Sequence, residues 1–254
     1  MKPLIVANWK MNETSTEAGV LLSELEKYLS ALENSVEIVI CPPFTALQTL
    51  GENPGFEKGA QDIHWEDKGT FTGEVSGPML KDLGCKYVIV GHSERRWKLG
   101  ESNEVVNLKM RAALRNDLVP ILCVGERADE RRAELTEQVL TEQLTEAWRE
   151  IGRDDINEVV ISYEPVWAIG TGEVKSREAA TPEIVQAAYE VISSFLAAQE
   201  ISDKTRLIYG GSIDSDNVIS FLKVDSNQGF LVGGASLVPA EFSKIIKKVS
   251  QNSN

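Results

Sequence analysis

The sequence predicts an α/β fold, a (β/α)8 barrel with eight parallel strands and surrounding helices, built as a single domain from residues 1–254. Eight short apolar runs recur along the chain, and segments with helical spacing lie between them. No linker rich in Pro, Gly or Ser divides the sequence. A length of 254 residues suits one such barrel. A doubly wound sheet is the alternative, because it uses the same alternation of strands and helices.

The apolar runs are mostly continuous rather than alternating, as expected for strands that are buried on both faces of a parallel sheet. The third run, Gly59-Ala60-Gln61, is the weakest of the set. The predicted strands lie at residues 4–7, 36–41, 59–61, 87–90, 119–124, 159–163, 207–209 and 230–232.

Three intervening segments carry apolar stripes at helical spacing. Thr181-Pro182-Glu183 predicts a further helix start, with a capping residue, a first-turn Pro and an acidic first turn. The stripes are Ala18, Leu21, Leu22, Leu25, Tyr28 and Leu29; then Leu135, Leu140, Leu144, Ala147, Trp148 and Ile151; and finally Phe242, Ile245, Ile246 and Val249.

Composition narrows the classes of function. A net charge of −13 argues against binding to nucleic acid or to anionic membranes. No stretch approaches the roughly 20 apolar residues of a membrane span, and the N-terminal apolar run is too short for a signal peptide. The three cysteines are scattered and only two histidines are present, so we expect buried reduced thiols, no metal site and a cytoplasmic protein.

The segment 158–172 combines a strand, a carboxylate and a glycine-rich loop. The run Val159–Ile161 predicts a buried strand, and the restriction that Pro165 imposes on the preceding residue favours ending it near Glu164. Residues 168–172 include two glycines, which tolerate unusual dihedral angles. This pattern predicts a base on rigid β-structure beside a loop that folds over a small anion. An edge glutamate before a surface loop is the alternative.

Two other strand ends carry candidate functional side chains. Asn8 and Lys10 follow the first run, where the ammonium group can offer a point charge to an anion. His92 follows the fourth run, and Ser93 is predicted to cap a helix that starts at Glu94. The positive end of that helix would keep the imidazole neutral, as a hydrogen-bond donor to a carbonyl. Taken alone, Lys10 is typical of a surface charge and His92 of a structural residue.

Paired glycines follow the last two predicted strands, at Gly210-Gly211 and Gly233-Gly234. Paired glycines let backbone N–H groups approach an oxyanion closely, and barrels often bind phosphate at these two loops. Since one such pair also suits an ordinary tight turn, the prediction of a phosphate site depends on finding two of them at neighbouring strand ends.

Together these pieces resemble the triosephosphate isomerase family, and they follow the family's order over nearly the whole barrel. The matching motifs are NWKMN at 8–12, CPPF at 41–44, GAQ at 59–61, TFTGEVS at 70–76, VGHSERR at 90–96, ILCVGE at 121–126, YEPVWAIGTG at 163–172, YGGS at 209–212 and GFLVGGASL at 229–237.

The resemblance implies interconversion of dihydroxyacetone phosphate and D-glyceraldehyde 3-phosphate, a step of glycolysis and gluconeogenesis. Glu164 matches the family's catalytic base, which moves a proton between adjacent carbons through an enediolate. His92 matches the neutral electrophile that polarises the carbonyl. Lys10 matches the lysine that supplies positive charge to the substrate, with Asn8 beside it. Glu94 matches a glutamate that positions this lysine or shuttles protons.

The resemblance also implies a phosphate grip made by backbone N–H groups of Gly170, Ser212, Gly233 and Gly234. The loop 165–172 resembles the family's lid, which would remove water from around the base when it closes. No metal ion or organic cofactor is implied. The TFTGEVS stretch resembles the loop that reaches into a neighbouring subunit, with Thr72 at its tip, so a homodimer is expected.

Two segments depart from the family pattern. The stretch 173–180 between the lid and the predicted helix is about five residues longer than expected. This difference is expected to affect the rate at which the lid closes rather than the chemistry. Before the eighth strand, Asn227-Gln228-Gly229 replaces the usual aspartate-glycine, so an ion pair to the preceding helix is expected to be missing. We expect a modest effect on stability, because Gln can still form hydrogen bonds.

Two other functions remain open. A protein that keeps the pocket but has lost useful turnover would bind phosphate-bearing dianions without isomerising them. Another phosphate-binding barrel enzyme, such as an aldolase or a synthase, would need a Schiff-base lysine or a different arrangement of acid and base.

Overall fold

The computed structural model describes residues 2–29, 35–52, 55–169 and 179–252. Its eight strands pair in chain order, all in parallel, and β8 pairs with β1 to close a barrel. The (β/α)8 prediction is therefore confirmed, and the doubly wound alternative is wrong. The strands are β1 Leu4–Asn8, β2 Glu37–Cys41, β3 Glu57–Ala60, β4 Cys85–Val90, β5 Val119–Val124, β6 Val159–Tyr163, β7 Thr205–Tyr209 and β8 Asn227–Val232.

Alternate residues of the strands belong to two separate apolar clusters, which explains why the runs are continuously apolar. In β1, Leu4 and Val6 point into the barrel, whereas Ile5 and Ala7 pack against the helices. The inner cluster is completed by Val39, Cys41, Tyr87, Ile89, Ile121, Cys123, Val160, Ile208 and Leu231.

The weak third run does form a strand, but β3 is short and ends at Ala60. Gly59 explains the unusual composition, because a Cβ atom there would lie 2.4 Å from Cys41 Sγ and 2.8 Å from Val39 Cγ1. The barrel interior leaves no space for a side chain at this position, so glycine replaces the usual apolar residue. Gln61 lies beyond the strand end, where its amide faces the site described below.

The helices within the described residues follow the predicted stripes, with corrections in two of them. Tyr28 is exposed although it belongs to the first stripe. In the second stripe, Leu135 is exposed and precedes the helix, and Trp148 and Ile151 follow its last residue, Ala147. The helices are α1 Ser15–Leu29, α2 Gly77–Asp82, α3 Ser93–Lys98, α4 Asn103–Arg115, α5 Ala128–Arg132, α6 Thr136–Ala147, α7 Pro182–Ala198, α8 Val218–Leu222 and α9 Pro239–Asn252. None of them is long and apolar enough to cross a bilayer.

The unusual entrance to β8 is stabilised by neutral hydrogen bonds. Tyr189 of α7 donates its hydroxyl proton to Asn227 Oδ1 at 3.1 Å, and Asn227 Nδ2 donates to Phe221 O at 2.9 Å. Gln228 Oε1 accepts the Leu207 N–H at 3.1 Å. These amide contacts link β8 to α7, α8 and β7, as expected if hydrogen bonds replace an ion pair.

Candidate active site

The carboxyl ends of β1, β4, β7 and β8 surround one cavity of about 340 Å³. Its lining includes Asn8, Lys10 and His92, together with residues of the loops 210–214 and 233–235. Ligands of barrel proteins bind at this end of the strands. The structure therefore brings Asn8, Lys10 and His92 to one cavity from distant parts of the chain, whereas Glu164 and Glu94 are not among its lining residues.

Lys10 is held in a strained backbone conformation directly after β1. Its φ angle is +54°, in the left-handed region that residues with side chains seldom adopt. Its N–H donates to Asn8 Oδ1 at 3.0 Å, and its carbonyl oxygen accepts from Gln61 Nε2 at 2.7 Å. The side chain then extends to Glu94, with 3.3 Å between Lys10 Nζ and Oε1. Asn8 and Gln61 thus fix the backbone from which the ammonium group reaches the cavity.

His92, rather than Ser93, caps α3. The helix starts at Ser93, one residue earlier than predicted, and His92 Nδ1 accepts the Glu94 N–H at 3.2 Å. A ring nitrogen that accepts a hydrogen bond carries no proton, so the proton of the neutral imidazole lies on Nε2. The Nε2 atom is 3.6 Å from Glu164 Oε1. The helix end therefore selects the tautomer that presents an N–H donor to the site.

Ser93 has a different partner because its own N–H is one of the unpaired groups of the first helical turn. This N–H donates to Glu164 Oε2 at 3.3 Å. The prediction that the Ser93 side chain caps a helix starting at Glu94 was therefore wrong. The contact uses the positive end of α3, which follows β4, to hold a carboxylate that follows β6, two strands along the barrel.

Glu164 follows β6 immediately, as predicted, and only 1% of its surface is exposed. Within the described part of the chain, its Oε1 atom has no hydrogen-bond partner. A Cβ atom on Gly210 would lie 2.7 Å from Glu164 Cγ, so a glycine is required on that side. A buried carboxylate oxygen without a partner is costly, and such atoms are typical of functional sites.

The loops after β7 and β8 present their glycines and Ser212 to the cavity, as predicted. Gly233 lies beside Lys10, because a Cβ atom there would be 3.7 Å from Nζ. Gly234 begins a short 3-10 helix at 234–237, which leaves backbone N–H groups at its start unpaired within the helix. Gly170 and residues 171–178 of the lid and hinge lie outside the described residues.

Glu126 is a buried carboxylate that our sequence analysis did not single out. It accepts hydrogen bonds from Trp167 Nε1 at 2.8 Å and from the Tyr163 hydroxyl at 3.1 and 3.2 Å. Arg131 lies 3.7 Å from its Oε1 atom and stacks over the Trp167 ring. Burial and Glu126 raise the pKa of Tyr163 well above its ordinary value, so this phenol remains a neutral donor. Glu126 therefore holds the side chains of Tyr163 and Trp167, which precede and follow Glu164 in the chain.

A buried ion-pair network outside the cavity holds α3 in place. Arg95 pairs with Asp62 at 2.8 Å and with Glu101 at 2.6 Å. Lys109 of α4 pairs with the same two carboxylates, at 2.6 Å from Asp62. Burial raises the pKa of Asp62 despite both cations, so desolvation outweighs their attraction. Arg95 is the neighbour of Glu94, and the network thus anchors the helix that carries His92.

Three buried free cysteines, Cys41, Cys85 and Cys123, match the expectation of reduced thiols. Burial raises the pKa of Cys123, and the nearby Glu164 carboxylate adds to the effect. The thiol next to Glu164 is consequently neutral. No group of three or more potential metal-ligating side chains occurs within the ranges that the structure describes.

Comparison with known proteins extends the resemblance to nearly the whole chain. The family model described as triosephosphate isomerase matches residues 3–249. The triosephosphate isomerase of Chloroflexus aurantiacus is 46% identical over 251 residues, which cover 96% of this chain and 98% of that protein. The enzyme of Dictyoglomus turgidum is 43% identical over 249 residues, covering 97% and 99%.

A third relative, the triosephosphate isomerase of Citrifermentans bemidjiense, is 44% identical over 252 residues, covering 97% of this chain and 98% of that protein. The matches include both the strand ends that line the cavity and the helices that surround the barrel. The chain therefore belongs to the triosephosphate isomerase family.

Proposed function

We propose that this protein interconverts dihydroxyacetone phosphate and D-glyceraldehyde 3-phosphate by moving a proton between adjacent carbons. The observation that carries this proposal is the buried, unpartnered Glu164 Oε1 atom facing the Nε2 atom of His92 at 3.6 Å. A free carboxylate lone pair can take a proton, and the adjacent N–H can stabilise the oxyanion that results.

In the proposed mechanism, Glu164 removes a proton from the carbon next to the substrate carbonyl, and the electron pair of that C–H bond forms an enediolate. His92 donates a hydrogen bond from Nε2 to the carbonyl oxygen as negative charge develops there. Lys10 adds positive charge at the cavity wall. While the intermediate exists, His92 Nε2 gives its proton to the former carbonyl oxygen and takes the proton of the neighbouring hydroxyl group. Glu164 then returns its proton to the carbon that carried the carbonyl group, so that atoms and charges balance without a cofactor.

Glu94 is proposed to position Lys10 and to pass protons near His92. The positioning role is supported by the distance of 3.3 Å between Oε1 and Lys10 Nζ, whereas the passing of protons is proposed on the family resemblance alone. The backbone N–H of Glu94 also selects the tautomer of His92. One residue therefore touches both groups that would stabilise the enediolate.

The phosphate group is proposed to bind backbone N–H groups of Ser212, Gly233 and Gly234, with Lys10 as the nearby cation and Asn8 at the cavity wall. Paired glycines and the start of a short helix are typical of phosphate sites in barrels. Gly170 is added on the family resemblance alone. A net charge of −13 does not oppose this proposal, because binding depends on the local field of the cavity.

A cytoplasmic homodimer of chains that each form one domain, residues 1–254, is also proposed. Several large apolar side chains near the site are exposed in the single chain, including Met11 at 95% and Leu99 at 66%. Phe71 is exposed beside Thr72, the tip of the loop that the resemblance assigns to subunit contact. Large apolar side chains exposed to this extent favour a protein partner, and a second copy of the chain is the proposed one.

A coupled assay in both directions, on the wild type and Glu164→Gln, tests the proposed reaction. We expect turnover by the wild type and a loss of about 10²- to 10⁴-fold in kcat for the variant, because an amide cannot accept the substrate proton. A wild type that is folded and dimeric, and that binds phosphate-bearing dianions without turning over either triose phosphate, would contradict the proposal and favour a binding protein instead.

A further inference from the structure

We infer that Glu241 and Lys248 of α9, together with Asn217, are positioning residues for phosphate binding, because they fix the loop after β7 that carries Ser212. The inference rests on the proposed function, since it concerns the same phosphate site. It assigns part of the affinity to side chains that lie outside the cavity and do not touch the substrate.

The first observation is a two-point clamp on one residue of the loop. Glu241 Oε1 accepts the Ser215 N–H at 2.7 Å, and Lys248 Nζ donates to the Ser215 carbonyl oxygen at 2.5 Å. Glu241 and Lys248 are seven residues apart, so both lie on one face of α9, two turns apart. Ser215 is buried beneath them. The helix therefore holds both hydrogen-bonding groups of a single residue in the loop.

The second observation is that hydrogen bonds transmit this constraint along the loop to Ser212. Asn217 Nδ2 donates to the Ser212 carbonyl oxygen at 3.0 Å, and Asn217 Oδ1 accepts the Asp214 N–H at 3.1 Å. Asp214 Oδ1 accepts the N–H groups of Asp216 and Asn217, both at 2.9 Å. The side chains on either side of Ser215 therefore close a turn that leads back to the cavity.

This turn also reduces the effect of a negative charge in the cavity lining. Asp214 lies in the cavity lining, where its negative charge would repel a phosphate dianion. Its Oδ1 atom is hydrogen-bonded to two N–H groups of its own loop, which partly offsets that charge. Because α9 holds Ser215 in the middle of this turn, the clamp favours anion binding through both geometry and charge.

The helix is a rigid support for such a clamp. Four apolar side chains of α9, at Phe242, Ile245, Ile246 and Val249, are fully buried in the core. The Ser215 N–H lowers the pKa of Glu241, which keeps the acceptor ionised at neutral pH. Donors that are fixed before the ligand arrives bind an anion without a further cost of ordering the loop.

The test compares Glu241→Ala and Lys248→Met with Lys247→Met, a matched control at an exposed position of the same helix. Three quantities are measured: KM and kcat for glyceraldehyde 3-phosphate, the inhibition constant of inorganic phosphate, and kcat/KM for glyceraldehyde, which lacks the phosphate group. The last reaction is followed by NMR at high enzyme concentration.

We expect KM and the inhibition constant of phosphate to rise about three- to tenfold in Glu241→Ala and Lys248→Met, as for the loss of one hydrogen bond. The glyceraldehyde reaction should be unchanged, because it does not use the phosphate loop. Glu241→Gln should recover most of the phosphate affinity, since its amide oxygen can still accept the Ser215 N–H. Lys247→Met should match the wild type.

Equal losses with both substrates would overturn the inference, because they would indicate general damage to the barrel. Unchanged inhibition by phosphate in Lys248→Met and Glu241→Ala would overturn it as well. If Glu241→Ala does not fold, Lys248→Met and Glu241→Gln decide the question. A wild type without isomerase activity would count against the proposed function instead. An active wild type whose phosphate inhibition is not changed by the substitutions in α9 contradicts only the clamp.

Discussion

At the scale of residues, the proposed chemistry depends on a single carboxylate oxygen, Glu164 Oε1. Glu164 Oε2 is held by the Ser93 N–H, whereas Oε1 faces His92 without a hydrogen bond from any described residue. Because one oxygen fixes the side chain, the other remains free to take a proton. The cost of burying that free oxygen has to be met by packing and hydrogen bonds elsewhere.

Glu126 provides part of that support, and we predict that Glu126→Gln lowers the free energy of unfolding by about 1–3 kcal/mol. The amide replaces the Oε2 atom that accepts the Tyr163 hydroxyl proton with an NH2 donor, and it removes the charge that pairs with Arg131. Urea unfolding at a fixed protein concentration measures the change. Glu134→Gln, at an exposed position, is the control and should leave stability unchanged. A Glu126→Gln variant as stable as the wild type would contradict this account.

The catalytic candidates and Glu126 differ in how far the sequence reveals them. Lys10, His92 and Glu164 follow predicted strands, and the family motifs assign their roles. Glu126 also follows a strand, yet its position alone does not distinguish a catalytic carboxylate from a structural one. Its partner Trp167 lies about forty residues away along the chain. Such pairings depend on tertiary structure, and a strand-end carboxylate in the ILCVGE motif was the only available signal.

At the scale of elements, continuous apolar runs predicted the barrel strands well, since both faces of each strand are buried. The exception was β3, where Cys41 lies so close to Gly59 that no apolar side chain fits at this position. The start of α3 was predicted one residue too late, because Ser is a common capping residue whereas His92 acts here through Nδ1. Residues 173–178 of the hinge 173–180 lie outside the described residues, so the effect of its length on lid closing stays a prediction.

The amino ends of four strands are joined by a charged cluster opposite the active site. Glu37 at the start of β2 accepts hydrogen bonds from Arg206 at 2.6 Å, Tyr87 at 2.6 Å and Lys86 at 3.0 Å. Arg206 also pairs with Glu158 at 2.7 Å. These donors lower the pKa of Glu37 to about 2 although burial acts in the opposite direction. The cluster therefore closes the barrel floor with an ionised carboxylate.

We predict that Glu37→Gln costs about 2 kcal/mol of unfolding free energy near neutral pH. A carboxylate whose pKa is lowered on folding stabilises the protein above its ordinary pKa of 4.5. That contribution is lost as the pH falls toward the folded value of about 2. The difference between wild type and variant, measured by urea unfolding, should thus shrink between neutral pH and about pH 3. A difference that does not change with pH would contradict the assigned cause.

At the scale of the whole molecule, the proposed dimer predicts a solution mass twice that of the chain. Thr72→Glu should shift the protein toward monomer, because a charge at the loop tip would be buried against the second copy without a partner. Sedimentation equilibrium measures the shift. Val20→Glu, at an exposed apolar position on α1, is the control and should remain dimeric. A monomeric wild type would contradict the proposed assembly.

The central claim is that Glu164 carries a proton between two substrate carbons, and isomerisation in D₂O followed by NMR tests it most directly. A base exchanges the proton with solvent while the enediolate exists, so we predict deuterium at the carbon that is protonated in the product. Glu164→Gln should slow this incorporation by at least about 100-fold while the protein remains folded. Incorporation at the wild-type rate in Glu164→Gln would contradict the claim, because another group would then have to move the proton.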